Sequence, residues 1–273
     1  MHRRHLTDQT FDPTPFRRAL ARIDDRPSRL MGPIRVVLRA GARLCRFRLV
    51  VDGLEHLPRG ADGRIAGGLI LAGAPHRAWV DPLLLILAWP ADAPRLAWFG
   101  DGPSLARSWW RRLLVPRLGA IPIVPGSGPA AMTGHIEAAS AVLARGAVLA
   151  MLVERGAPSP PDRTREIAGG FAWMALAARA PVVPVVIGGA HRIVRGSPFI
   201  VRFLEPLPPL PVAAVSDPDC GAVPLARAGR PAADALVAAY RDAVAGPVRE
   251  AAAWADAGAP SARRWPWLAT LFH

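Results

Sequence analysis

Apolar and polar positions divide this chain into short buried runs separated by stretches of helical spacing. Phe47-Arg48-Leu49-Val50-Val51 alternates as a strand, and Ile65 to Ala72 is a second, more apolar one. Arg95 to Phe99, Gly119 to Val124, Ala147 to Val153, Pro181 to Ile187 and Phe199 to Leu204 supply five more. Helical spacing begins at Pro82 and recurs over Leu105 to Leu114, Pro129 to Arg145 and Gly170 to Arg179. Strands alternating with helices predict an α/β fold in a single domain, with a mixed, mostly parallel sheet flanked by helices and functional loops at the strand ends.

The same patterning sets the segment boundaries. Residues 1–28 read as a polar leader with one short helix from Pro15 to Ile23, and residues 29–47 as a basic amphipathic helix. In that helix Arg35, Arg39, Arg43 and Arg46 recur on one side, while Leu30, Ile34, Val37, Leu38 and Leu44 fall on the other. Two seatings are open: the apolar face packs on the core, or it lies in a membrane interface with the arginines towards phosphates. The core is expected over 48–205, a proline-rich loop over 206–230, and a helical, tryptophan-rich segment over 231–273. Its helix, Ala232 to Ala257, is expected to break or kink at Gly246-Pro247. Trp109 and Trp110 beside Arg107, Arg111 and Arg112 suit either a core edge or a lipid–water boundary.

Composition narrows the partners. Of 273 residues 51% are hydrophobic and 20% charged, which excludes wholesale disorder. The net charge of +13 comes entirely from arginine, with no lysine anywhere, so it reads as compositional bias that would still attract polyanions such as anionic lipid headgroups. A nucleic-acid partner is not expected, because no binding motif is present and basic residues interleave with apolar blocks. Cys45 and Cys220 form no CxxC pair and the histidines are scattered, so neither a disulfide framework nor a metal site is expected. Met1 to Pro15 lacks the apolar stretch of a secretory signal, and no apolar run reaches the ~20 residues needed to cross a bilayer.

Candidate chemistry lies at the end of the second strand, in His76-Arg77-Ala78-Trp79-Val80-Asp81. An imidazole held by a carboxylate accepts a proton from a hydroxyl nucleophile, which makes His76 a candidate general base and Asp81 its orienting partner. A plainer reading of Asp81 is an N-cap, since Pro82 and Leu83-Leu84-Leu85-Ile86-Leu87 follow it as a first-turn proline and a buried helix. No Gly-x-Ser-x-Gly elbow is present, which disfavours a serine hydrolase.

Taken in order, these segments resemble the glycerolipid acyltransferase family over roughly residues 30 to 205. Val51 to Pro58 looks like its lead-in strand and turn, and Leu69 to Asp81 like its catalytic block ending in His-x4-Asp. Gly119-Ala120-Ile121-Pro122-Ile123 is similar to the second block, Val153-Glu154-Arg155-Gly156 to the acceptor-binding third, and Ala180 to Val185 to the structural fourth. The resemblance implies a glycerol-3-phosphate acyltransferase-like fold and a reaction in which His76 deprotonates the acceptor hydroxyl, Asp81 orients it, and the hydroxyl attacks an acyl thioester. The co-substrate implied is acyl-CoA or acyl carrier protein, with no further cofactor. The place implied is the cytoplasm, peripheral on the inner face of the cell membrane with its lipid surface as partner.

Acceptor binding departs from the family pattern. Pro125 stands where an arginine would bind the acceptor phosphate, Arg155 takes a glycine position and Ala157 an arginine position. Glu154, Arg155 and Gly156 remain the candidate acceptor contacts, with the backbone amides of Gly126, Ser127 and Gly128 as a candidate anion cradle. Arg163 and Arg165 sit in the same loop, either as substitutes or as solvated surface. The acceptor expected is a lysophospholipid, a glycerol-phosphate-like molecule or another hydroxylated or amine-bearing lipid. The alternative function is a catalytically impaired lipid- or acyl-binding protein on the same fold.

Overall fold

The computed structural model describes residues 18, 20–27, 30–78, 80–105, 108–123, 128–155, 159–209 and 229–258. Helix α1 (Met31–Leu44) precedes strands β1 (Arg48–Asp52) and β2 (Ile70–Ala74) and helix α2 (Asp81–Ala88). Next come β3 (Leu96–Asp101), the short α3 (Gly102–Leu105) and α4 (Trp109–Leu114), β4 (Ala120–Ile123), α5 (Gly128–Ala144) and β5 (Val148–Leu152). A small hairpin of β6 (Glu154–Arg155) and β7 (Glu166–Ile167) leads to α6 (Gly170–Ala178), β8 (Val182–Gly188), β9 (Pro198–Phe203) and α7 (Arg230–Ala257). Of the helix expected over Pro15 to Ile23, Arg18 and Leu20 are helical and Ala21 and Arg22 form a turn, with residues 15–17 and 19 outside the described residues; the proline-rich loop lies largely outside them, and the tail with Trp265 and Trp267 wholly so.

Seven strands form one sheet in the order β1-β9-β8-β2-β5-β3-β4. Every neighbouring pair is parallel except β8 with β9, so the fold is the mixed, mostly parallel α/β sheet that the patterning predicts. Parallel strands covered on both faces need apolar residues at successive positions, and β2 and β8 are buried at every position. Along β2, Ile70, Ala72 and Ala74 join a core with α5, α6 and α7, whereas Leu69 and Leu71 join the core under α2. Strand β2, which leads to His76, and β5, which leads to Glu154 of β6, are direct parallel neighbours, so both residues emerge at the C-terminal ends of the sheet strands.

Three expectations change in detail. The second strand begins at Ile70 rather than Ile65, because Gly67 passes so close to Gly146 that a Cβ there would lie 1.8 Å from its carbonyl oxygen. Helix α7 runs through Gly246-Pro247 without a break, with Val244, Val248 and Ala251 all buried around the proline. Of the helix expected over Leu105 to Leu114, the described residues show α4 over Trp109–Leu114 and Leu105 as the last residue of α3, and Trp109 is 78% exposed.

Helix α1 is seated differently from a simple arginine-out arrangement. Arg35 is buried at 6% exposure, while Val36, Val37 and Leu44 are exposed at 66%, 70% and 77%. The cause lies in α2, whose last turn leaves carbonyls without helical partners. Arg35 donates from Nε to the Ile86 carbonyl at 3.1 Å and from Nη2 to the Pro90 carbonyl at 3.3 Å. A cation at a helix C-terminus also complements the helix dipole. Among the described residues no helix is long and apolar enough to cross a membrane.

Candidate active site

The chain leaves β2 through a cis Ala74-Pro75 peptide and reaches His76 just beyond the sheet edge. Five residues later α2 begins at Asp81, with Pro82 in its first turn. Asp81 does not act as the N-cap: Val80 holds that position, and no side chain caps the helix. Instead Oδ2 of Asp81 accepts three hydrogen bonds, from His76 Nδ1 at 2.9 Å and from the main-chain N–H groups of Arg77 at 2.7 Å and Ala78 at 2.8 Å.

That geometry fixes the imidazole. A carboxylate is acceptor-only, so the 2.9 Å contact requires the proton on Nδ1 and leaves the Nε2 lone pair of neutral His76 free to take another. The His76 side chain is 38% exposed and that of Asp81 is fully buried, so the imidazole is open to solvent while its partner stays dry. An ionised Asp81 then stabilises the imidazolium formed when His76 takes a proton.

Glu154 enters the same site from β6. Its side chain has no exposed surface; Oε2 accepts the His76 main-chain N–H at 2.9 Å and Oε1 accepts that of Arg165 at 2.9 Å. Arg77 Nη1 lies 3.9 Å and Arg165 Nε 4.0 Å from Oε2, which balances the buried charge. Arg77 extends the brace: it donates to Ser159 Oγ at 2.9 Å and to the carbonyls of Pro160, at 3.0 Å, and Arg163. Burial lowers the Arg77 pKa, and the Glu154 carboxylate acts in the opposite sense.

The other expected contacts are placed apart from this cluster or not described. Arg155 is 63% exposed and pairs with Glu166 across the hairpin. Gly156, Gly126 and Ser127 lie outside the described residues, and Gly128 is the first residue of α5. Gly119, in the second resembling block, has a structural reason: its φ is 88°, and a Cβ would fall 2.4 Å from the Leu96 carbonyl oxygen.

Two features were not read from sequence. Tyr240 of α7 is fully buried and donates its hydroxyl to the Ala72 carbonyl at 3.1 Å, under the strand that delivers His76. Burial raises its pKa well above the usual phenol range, with Glu154 adding to the effect. A small apolar groove, with about 30 Å³ of solvent-accessible space, lies beside α2 and is lined by Pro82, Leu85, Ile86, Trp98, Phe99 and Leu152, among others. The only hint in sequence was the apolar Leu83 to Leu87 run, which periodicity alone assigns to the core.

Comparison with known proteins places this site in context. A family model described as Acyltransferase matches residues 48–188, just over half of the chain and the whole span from β1 to β8. No curated protein matches the sequence. Among solved structures, the chain is similar to the crystal structure of the 1-acyl-sn-glycerophosphate (LPA) acyltransferase PlsC from Thermotoga maritima. That match has a TM-score of 0.54 and 17% identity, and covers 81% of this chain and 78% of that one. At such identity the likeness is one of fold.

Proposed function

The chain belongs to the acyltransferase family, and from that premise we propose that it moves a fatty acyl group from an acyl thioester to the hydroxyl of a lysophospholipid or glycerol-phosphate-like acceptor. One observation carries the reading. The His76–Asp81 pair stands at the head of α2, and the same helix lines an apolar groove through Pro82, Leu85 and Ile86. A proton acceptor on the same helix as an apolar groove suits a reaction between a hydroxyl and an acyl group.

The steps follow from the hydrogen bonds. Nε2 of His76 takes the acceptor hydroxyl proton as its oxygen attacks the thioester carbonyl, forming the new C–O bond. The tetrahedral intermediate collapses with cleavage of the C–S bond. The thiolate of CoA or acyl carrier protein takes the proton from the imidazolium, leaving an ester, a free thiol and neutral His76. Asp81 holds the tautomer throughout, and Glu154 positions the His76 main chain.

The protein works on a membrane, peripheral on its cytoplasmic face. Val36, Val37 and Leu44 form an exposed apolar strip on α1, with exposed Arg39 and Arg43 beside it and no acidic residue between Met31 and Phe47. Apolar side chains flanked by arginine suit the boundary between acyl chains and anionic headgroups.

Incubation of the purified protein with labelled acyl-CoA or acyl carrier protein and a total lipid extract, followed by mass analysis, tests the assignment. The expected result is a new acylated lipid formed with release of one thiol per ester. Vesicle or acyl-chain binding without thioester consumption would instead identify a lipid-binding protein that has lost catalysis.

A further inference from the structure

Arg77, the residue after His76, carries a cationic side chain that is only 6% exposed. Its main chain belongs to the catalytic loop, where the N–H donates to Asp81 Oδ2 at 2.7 Å. Its guanidinium serves a different segment, the turn from Ser159 to Arg163 between β6 and β7. Nη1 donates to Ser159 Oγ at 2.9 Å, and Nη2 donates to the carbonyls of Pro160, at 3.0 Å, and Arg163.

The turn is built to be held in this way. Pro160 and Pro161 have fixed φ angles and no N–H, so the turn offers acceptors with few donors of its own. It closes on itself through Ser159 Oγ, which donates to the Arg163 carbonyl at 3.1 Å, and the Arg163 N–H, which donates to the Pro160 carbonyl at 3.2 Å. The planar fork of a guanidinium reaches several such acceptors at once, which a single ammonium does not. These acceptors are neutral, and the Glu154 carboxylate, with Oε2 at 3.9 Å from Nη1, balances the charge.

Glu154 completes a reciprocal link. It reaches from the hairpin to the catalytic loop, where Oε2 accepts the His76 N–H, while Oε1 accepts the N–H of Arg165, two residues beyond the turn. Releasing the turn therefore loosens Arg165, and with it one of the two main-chain hydrogen bonds that orient the Glu154 carboxylate.

Resting on the acyl-transfer reading above, we infer that Arg77 is a positioning residue for that reaction: by clasping the Ser159–Arg163 turn to the catalytic loop, it sets the Glu154 carboxylate that holds the His76 main chain. Its effect reaches the base through the turn, Arg165 and Glu154, and requires no contact between the guanidinium and substrate.

Amide hydrogen exchange and steady-state kinetics on full-length R77A and R77K test this. In R77A the His76 main-chain N–H, which bonds to Glu154 rather than to Arg77, is expected to exchange at least ~10-fold faster, together with those of Arg163 and Arg165. kcat for acyl transfer is expected to fall at least ~10-fold with acceptor KM changed by less than ~2-fold, since alignment is lost and no substrate contact is removed. Millimolar guanidinium should raise the R77A kcat at least ~3-fold, whereas R77K should recover less, because one ammonium cannot span three acceptors. Unchanged exchange at His76 in R77A and R77K overturns the inference. So does a rise in KM alone, which marks a substrate contact, or a loss of kcat that guanidinium does not rescue, which marks a general structural role. A wild type that consumes no thioester refutes the acyl-transfer reading instead, and the exchange rate at His76 still decides whether Arg77 sets that N–H.

Discussion

Glu154 accepts a hydrogen bond from the main-chain N–H of His76 at 2.9 Å, joining residues 78 positions apart in the chain. The carboxylate also accepts the main-chain N–H of Arg165 and lies within 4.0 Å of two guanidiniums, so it braces the catalytic loop against the hairpin loop. E154Q keeps the volume but turns one acceptor into a donor that faces another N–H. The expected cost is about 2 kcal/mol of stability in urea unfolding, with kcat reduced ~10-fold as the His76 main chain loses its anchor. Stability and kcat both at wild-type values would remove Glu154 from the account.

The groove makes acyl length a readout. Leu152 lines it from β5, on the face of the sheet that packs against Leu85 of α2. Replacing Leu152 by Phe fills space that a long chain would occupy, so the ratio of kcat/KM for long over short acyl thioesters should fall ~10-fold. An unchanged chain-length profile would show that the acyl group lies elsewhere.

The proposed membrane seating rests on three exposed side chains of α1, Val36, Val37 and Leu44. V36D, V37D and L44D replace exposed apolar groups with charges that anionic lipid repels, without disturbing the buried Arg35. The triple variant should bind anionic vesicles at least ~10-fold more weakly in co-sedimentation, while its melting temperature changes little. Wild-type vesicle binding in that variant would move the contact surface away from α1.

The fold was legible where burial on both faces leaves one pattern. Val182 to Ile187 and Ile70 to Ala72 are runs that only a covered parallel strand accommodates, and both lie within central strands. His76 and Asp81 were legible because five positions separate them and the loop between closes locally. What joins distant segments was not. Periodicity gave the two faces of α1 but not which turns inward, because that depends on the carbonyls of Ile86 and Pro90, more than fifty residues on. Glu154 matched a motif associated with the acceptor, and only its complete burial shows it bracing the main chain. Tyr240 carries no local signal at all, since its partner Ala72 lies 168 positions away.

The central claim is that His76 is the base and Asp81 its orienter, and steady-state acyl transfer by H76A and D81N tests it most directly. Both variants are compared with wild type for thiol release and ester formation, with intact folding checked by circular dichroism. H76A is expected to lose at least ~10³-fold in kcat, and D81N at least ~10²-fold, with acceptor binding retained. A folded H76A protein that transfers acyl groups at the wild-type rate would contradict the account.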